Sequence, residues 1–271
     1  MGGGFSVHMQ VLCGSDCKKV GTDRGVVAIV LAIIIVLVIV IVGYRLLESG
    51  YQEAMTYGGS EGGRVKEHGR NALCELFVST DCGACPSAEN TLSQMVDDEP
   101  LALVTMVIDK NEDAYRRALD YGIMYTPTAE FDFGYREIVG SRDESTYENA
   151  INACLQRNAP NVSVVNGAVK VDKDWINVTA TIKNGENETF DGGFIIYIVA
   201  VHTEYTNSFG DTVVVPYAFL GYANKSSISL GARDALAING RWHGSHSEDI
   251  AAIIAVHDGK NSITARIIYP K

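Results

Sequence analysis

The sequence is short of the features that would classify it at a glance. Only six prolines and two tryptophans occur in 271 residues. Glycine, at 27, follows no three-residue period, which excludes a collagen-like chain. Basic residues are in deficit. Twenty-two Lys and Arg against 33 Asp and Glu leave a net charge of −11, which argues against a nucleic-acid partner. Six cysteines are too few for a disulfide-stapled miniprotein of this length. No phosphate-binding loop, nucleophile elbow or paired-carboxylate motif is present. The 46% hydrophobic and 20% charged content is that of a globular chain, so wholesale disorder is excluded.

One long apolar run decides the expected compartment. Residues 26–42, VVAIVLAIIIVLVIVIV, are seventeen consecutive apolar residues. With their flanks, residues 25–44 reach about 20 residues, or roughly 30 Å as a helix, matching a bilayer core. The run exceeds a signal-peptide core, and GYRLLESG lacks a small-x-small cleavage site, so an uncleaved transmembrane helix is expected. Lys18, Lys19 and Arg24 precede it and only Arg45 follows closely. The positive-inside rule then places residues 1–24 in the cytoplasm as a tail and everything after 44 outside, in a single-pass cell-membrane protein. The sequons at Asn161, Asn177, Asn187 and Asn224 all fall on that outer side and are glycosylation candidates. Residues 45–70, with the Gly-rich stretch 57–63, read as a flexible linker.

From residue 71 apolar runs alternate with helical spacing. Strands are expected at 73–79, 101–108, 128–133 and 136–139, and helices at 85–96, 112–121 and 143–157. Sixteen acidic and six basic residues between 71 and 159 give this stretch −10, read as a solvated surface. After Pro160, short alternating stretches at 168–171, 175–182, 194–203, 212–217, 226–230, 250–257 and 262–269 are separated by turn residues. They predict an all-β, immunoglobulin-like sandwich of about seven strands over 160–271. Trp175 and Trp242 fit its core or edge.

The chemistry concentrates at Cys82-Gly83-Ala84-Cys85, between the first strand and the first helix. A cysteine at a helix N-terminus is favoured as thiolate, and two intervening residues allow a second sulfur to close a small ring. Cys82 is then the exposed attacking thiolate and Cys85 the buried resolving thiol. A static disulfide or half of a zinc site are the alternatives. No second C-x-x-C or nearby His completes a zinc site, so no metal is expected.

These residues resemble the thioredoxin superfamily. Gly122-Ile123-Met124-Tyr125-Thr126-Pro127-Thr128 matches the family's loop, and Pro127 lies 45 residues after Cys82. The resemblance implies a thioredoxin-like α/β domain over 71–159 and a cis Thr126–Pro127 bond beside the cysteines. It also implies substrate-binding backbone contacts at Thr126 and Pro127. Phe131-Asp132-Phe133-Gly134-Tyr135-Arg136 resembles the family's hairpin, with Gly140 as its closing glycine. Two positions depart from the family. Its buried acid, six residues before the first Cys, is replaced by Leu76, while Glu75 should face the other side of the sheet. The family's Trp before the first Cys is replaced by Asp81, whose charge should disfavour thiolate at Cys82. The stretch 247–258, SEDIAAIIAVHD, is also similar to a late strand in a family of bacterial outer-membrane lipoproteins that joins a thioredoxin-like module to a β-sandwich.

Cys74 and Cys154 could form a structural disulfide or remain buried thiols. Cys13 and Cys17 should face the cytoplasm as reduced thiols. His243 and His246 read as a solvated loop. The expected function is thiol–disulfide exchange on exported proteins, without a cofactor. A separate membrane redox partner is required, because the membrane segment has no Cys. A surface scaffold or adhesion protein with a redox-inactive thioredoxin-like fold is the alternative, and copper delivery through two thiolates a third.

Overall fold

Residues 72–78, ALCELFV, are apolar at all but one position, as suits a strand buried on both faces. The computed structural model, which describes residues 70–246 and 249–271, makes them β1 (Ala72–Val78), with every residue buried. Helix α1 (Cys85–Asp98) follows, opened by Pro86, and leads to β2 (Leu101–Val107), parallel to β1 and equally buried. Helix α2 (Glu112–Tyr121) is capped by Asn111, whose side chain accepts from the Ala114 amide, and stopped by Gly122 at φ 70°. Strands β3 (Thr128–Phe131) and β4 (Arg136–Val139) form a hairpin antiparallel to β1, and α3 (Glu144–Gln156) closes the α/β segment behind an Asp143 cap. The expected order of strands and helices is observed.

The remaining chain is all strand: β5 (Val162–Asp172), β6 (Trp175–Asn184), β7 (Phe190–Thr206), β8 (Thr212–Leu230), β9 (Ala235–His243), β10 (Ile250–His257) and β11 (Ser262–Ile268). They do not make a free-standing sandwich. One eight-stranded sheet runs β11-β10-β7-β8-β2-β1-β3-β4, and only β5-β6-β9 form a second sheet. The joint is β2 beside β8, in parallel at Thr105 and Ala218. The segments on either side of the expected boundary at 159/160 therefore share one continuous sheet, and the described residues belong to one compact unit. The reason is an exposed edge: β2, apolar on both faces, needs a strand on its outer side, and β8 supplies it. The two-sheet packing expected for a sandwich exists, but one of its sheets is shared with the α/β segment.

Two strands differ from expectation for a physical reason. Opposite β7, β8 carries two extra residues, as the register passes from Asn224 to Tyr222 and from Gly221 to Phe219. Each bulge flips the inside–outside alternation, so one 19-residue strand reads in sequence as two short ones. Strand β9 has no counterpart among the expected strands. It is largely exposed and alternates weakly. Strand β10 is apolar throughout because both faces are covered. Ile250, Ala252, Ile254 and Val256 pack with the β5-β6-β9 sheet, while Ala251, Ile253 and Ala255 join the α/β core.

Two buried carboxylates in this core, Glu75 and Asp132, anchor hydrogen-bond networks that reach from the α/β segment into the β-rich half. Glu75 has no solvent exposure. Its Oε1 accepts from Arg117 Nε at 3.0 Å and from the Tyr197 hydroxyl at 3.1 Å. Its Oε2 accepts from Arg117 Nη2 at 2.9 Å and the Tyr121 hydroxyl at 2.5 Å. Asp132 is similarly buried and accepts from the Leu73 amide, Arg70 and Arg157. Arg157 also donates to the Ser262 carbonyl on β11. The Asn111 cap reaches across too, donating Nδ2 to the carbonyls of Phe219 and Leu220 on β8.

The expected transmembrane helix (25–44), the cytoplasmic tail (1–24), Cys13, Cys17 and the linker up to residue 69 lie outside the described residues. Among the described residues, no helix is long and apolar enough to cross a membrane.

Two outcomes follow. Glu75→Gln leaves Arg117 without its charge partner and should destabilise the fold by about 3 kcal/mol. Urea unfolding followed by Trp175 and Trp242 fluorescence, and by far-ultraviolet dichroism, should show the loss in one coincident transition; two separate transitions would contradict the shared sheet. Glu130, buried between Glu75 and Glu137 on neighbouring strands, has its pKa raised to about 8, first by burial and then by Glu137 and Glu75. The folded state therefore holds a proton that the unfolded chain releases near 4.5. Stability should fall as pH rises from about 4.5 to about 8, and Glu130→Gln should flatten that fall in a pH series of unfolding curves.

Candidate active site

Strand β1 ends at Val78, and the chain then turns through Ser79–Ala84 before α1 begins. The turn is closed by the Cys82 amide donating to the Ser79 carbonyl at 3.1 Å and the Cys85 amide donating to the Cys82 carbonyl at 3.2 Å. The Thr80 amide and hydroxyl both donate to the Asp109 carboxylate just after β2. Cys82 stands three residues ahead of the first helical residue, Cys85. The two sulfurs form a disulfide with Cα atoms 5.4 Å apart. Cys82 is half-buried and Cys85 only 1% exposed, so a partner sulfur can approach Cys82 alone.

The second expected element sits at the same end of the sheet. Thr128 is opposite Phe77 in the antiparallel β1–β3 pair, which brings Pro127 level with Val78. The Thr126–Pro127 peptide is cis, as the resemblance implied. The Pro127 carbonyl accepts from Gly140 at 2.7 Å, and the Thr128 hydroxyl donates to the Tyr125 carbonyl at 2.8 Å. Just before this peptide, Met124 and Tyr125 project into solvent, 81% and 72% exposed.

Sequence reasoning missed the third element. Strands β7 and β8 form a long hairpin whose tip, Asn207–Asp211, arrives beside the cysteines. The tip is ordered by the Asn207 side chain, which accepts from the amides of Phe209 and Asp211, and by Gly210 at φ 88°. The Ser208 amide donates to Asp81 Oδ1 at 2.8 Å. That bond lowers the Asp81 pKa and commits its charge to the hairpin as well as to the neighbourhood of Cys82. Residues of the tip, Asn207 and Phe209, and of its stem, Val213 and Val215, wall a cavity of about 260 Å³ whose other side is Cys82, Cys85 and Glu89. Phe209 itself is 80% exposed. The β-rich half is thus part of the site. No local motif announces this, because the sequence distance from Asp81 to Ser208 is 127 residues.

Glu89 was also missed. It is one helical turn beyond Cys85, buried, and its pKa is raised by burial to about 7. Glu75 faces away, as expected, held by α2 and β7.

The other expected residues are placed as follows. Cys74 and Cys154 are both buried free thiols, so the candidate bridge is not formed. Burial raises the pKa of Cys74, and burial followed by Asp132 pushes Cys154 up to about 12, leaving both poor nucleophiles. His243 packs on Trp175, and His246 lies near Trp242 with Nε2 2.8 Å from the Lys173 carbonyl. Among the described residues, no three His, Cys, Asp or Glu side chains converge in a metal-binding group. Asn161 and Asn187 are exposed. Asn177 and Asn224 are half-buried, and the Asn224 amide donates to the Asn239 carbonyl.

No family model matches the chain. The thioredoxin of Methanocaldococcus jannaschii is 31% identical over 81 residues, covering 30% of this chain and 93% of that protein. Among solved structures, HBP35 of Porphyromonas gingivalis is similar in fold, with a TM-score of 0.59 at 18% identity over 74% of this chain and 75% of that one. That share is larger than the α/β segment, so the likeness of fold extends into the β-rich half. A mutant thioredoxin from Halobacterium salinarum NRC-1 aligns at 21% identity over 34% of this chain and 81% of its own, with a TM-score of 0.29. On the near-complete match to an archaeal thioredoxin, the chain belongs to the thioredoxin family.

Proposed function

We propose that this chain is a membrane-anchored thiol–disulfide oxidoreductase that acts outside the cytoplasm on exported proteins. The observation that carries the reading is the asymmetry of the Cys82–Cys85 disulfide: one sulfur is open to attack and the other is enclosed. In the reduced enzyme the Cys82 thiolate attacks a substrate disulfide, and one substrate sulfur leaves as thiolate. Cys85 then attacks the Cys82 sulfur of the mixed disulfide, expels the second substrate thiolate and leaves the enzyme oxidised. Run in reverse, the same steps oxidise a substrate dithiol. A partner of dithiol or disulfide chemistry resets the pair.

The surroundings fit a polypeptide substrate. Exposed Met124 and Tyr125 on one side and Phe209 on the other offer apolar contact to an extended chain. The Thr126–Pro127 backbone would pair with it. The membrane placement rests on residues 26–42 and their flanking charge. The exposed sequons Asn161 and Asn187 are open to glycan transfer if the domain is exported.

Cys85→Ser removes the resolving thiol and should accumulate mixed disulfides on Cys82 in cells, visible as thiol-sensitive adducts on non-reducing gels. Cys82→Ser should give none. Absence of adducts from Cys85→Ser in a folded protein would instead favour a scaffold with a static disulfide. Protease added outside intact cells or spheroplasts should remove the epitope carried by residues 70–271; full protection would contradict the proposed orientation.

A further inference from the structure

Glu89 is 3% exposed, and its Oε2 has no hydrogen-bond partner. Among the described residues no cation pairs with it. A buried carboxyl oxygen with neither counter-charge nor donor is costly, so a purely structural helix position would be better filled by an apolar residue. Helical spacing puts Glu89 on the same side of α1 as Cys85, four residues earlier. Both line the cavity beneath the β7–β8 hairpin. The titratable groups sharing that cavity are Asp81, Cys82 and Cys85; the hairpin contributes Asn207, Phe209 and valines, but no charge. Asp81 is occupied by the Ser208 amide and remains ionised, so it is a poor proton carrier near neutrality. Glu75 is on the other sheet face with all its acceptor sites in use. Glu89 is the carboxyl left to exchange a proton with the enclosed sulfur.

We propose that Glu89 is the proton carrier for Cys85. The inference rests on the oxidoreductase reading. As Cys85 attacks the mixed disulfide, its S–H bond breaks and the proton passes to the Glu89 carboxylate, directly or through one water. The Cys85–Cys82 bond forms and the Cys82–substrate bond breaks. The substrate sulfur leaves with the electron pair and takes up the proton that Glu89 held. In the reductive direction Glu89 returns a proton to Cys85 as it leaves Cys82. A carboxyl whose pKa burial raises to about 7 is matched to this exchange near neutral pH.

The test is resolution of a preformed mixed disulfide between Cys82 and a chromogenic aromatic thiol, measured from about pH 5 to 9 in the full chain. Wild-type resolution should rise through an inflection near the Glu89 value. Glu89→Gln should slow it by about a hundredfold at neutral pH and remove that inflection, while alkylation of Cys82 keeps its rate. Glu89→Asp should restore part of the rate. Resolution by Glu89→Gln at wild-type speed with an unchanged pH profile would overturn the role of Glu89 and leave the oxidoreductase reading standing. A wild type that cannot resolve the adduct would overturn both. An independent readout needs no variant. The Glu89 carboxyl, followed by isotope-edited NMR in wild-type protein, should titrate at different pH in the oxidised and reduced states, and identical titrations would also overturn the proposal.

Discussion

The architecture depends on a carboxylate that has no water to turn to. Glu75 sits on the strand that leads directly into the cysteine loop, and its four accepted hydrogen bonds come from α2 and β7. Arg117 supplies two of them as a fork, which fixes orientation as well as charge. Tyr197 reaches it from the strand that ends at the hairpin tip. The cysteine loop and the hairpin are therefore extensions of two strands tied at one buried ion. Neither strand can be displaced at that tie without leaving a charge or a hydroxyl unpaired in the core.

Around that tie, the shared sheet gives the site its third wall. In an isolated α/β segment the outer edge of β2 would be open. Here β8 occupies it, β7 and β10 follow, and the three-stranded sheet covers the new surface. The hairpin projects past the sheet end far enough for Ser208 to hold Asp81 and for Phe209 to flank Cys82. The β-rich half thus supplies one wall of the cavity beside the cysteines.

The α/β segment was legible because its signals are local. A buried strand, C-x-x-C, a Pro-opened helix and a Thr-Pro-Thr loop at the right separation each reveal themselves within a few residues. The turn of Glu75 to the sheet face away from the cysteines follows from strand periodicity. The β-rich half was legible as strands but not as a topology. Bulges at Leu220 and Ala223 broke the alternation of β8, and exposed β9 has almost none to read. The attachment of β8 to β2 is a contact between residues more than 100 apart, Thr105 and Ala218, which no local pattern encodes. Glu89 was passed over because the stripe that buries α1, Ala88, Leu92 and Met95, runs beside it. Only the structure shows that a charged neighbour of that stripe is enclosed too.

All of this presupposes that the two sulfurs cycle. The most direct measurement is an equilibrium redox titration of the Cys82–Cys85 pair in glutathione or dithiothreitol buffers, read by alkylation and mass spectrometry. The account expects a reversible two-electron transition with a midpoint more oxidising than about −300 mV, the range of exchangeable rather than structural disulfides. A pair that stays bonded until well below that potential, or that opens only when the protein unfolds, would contradict it.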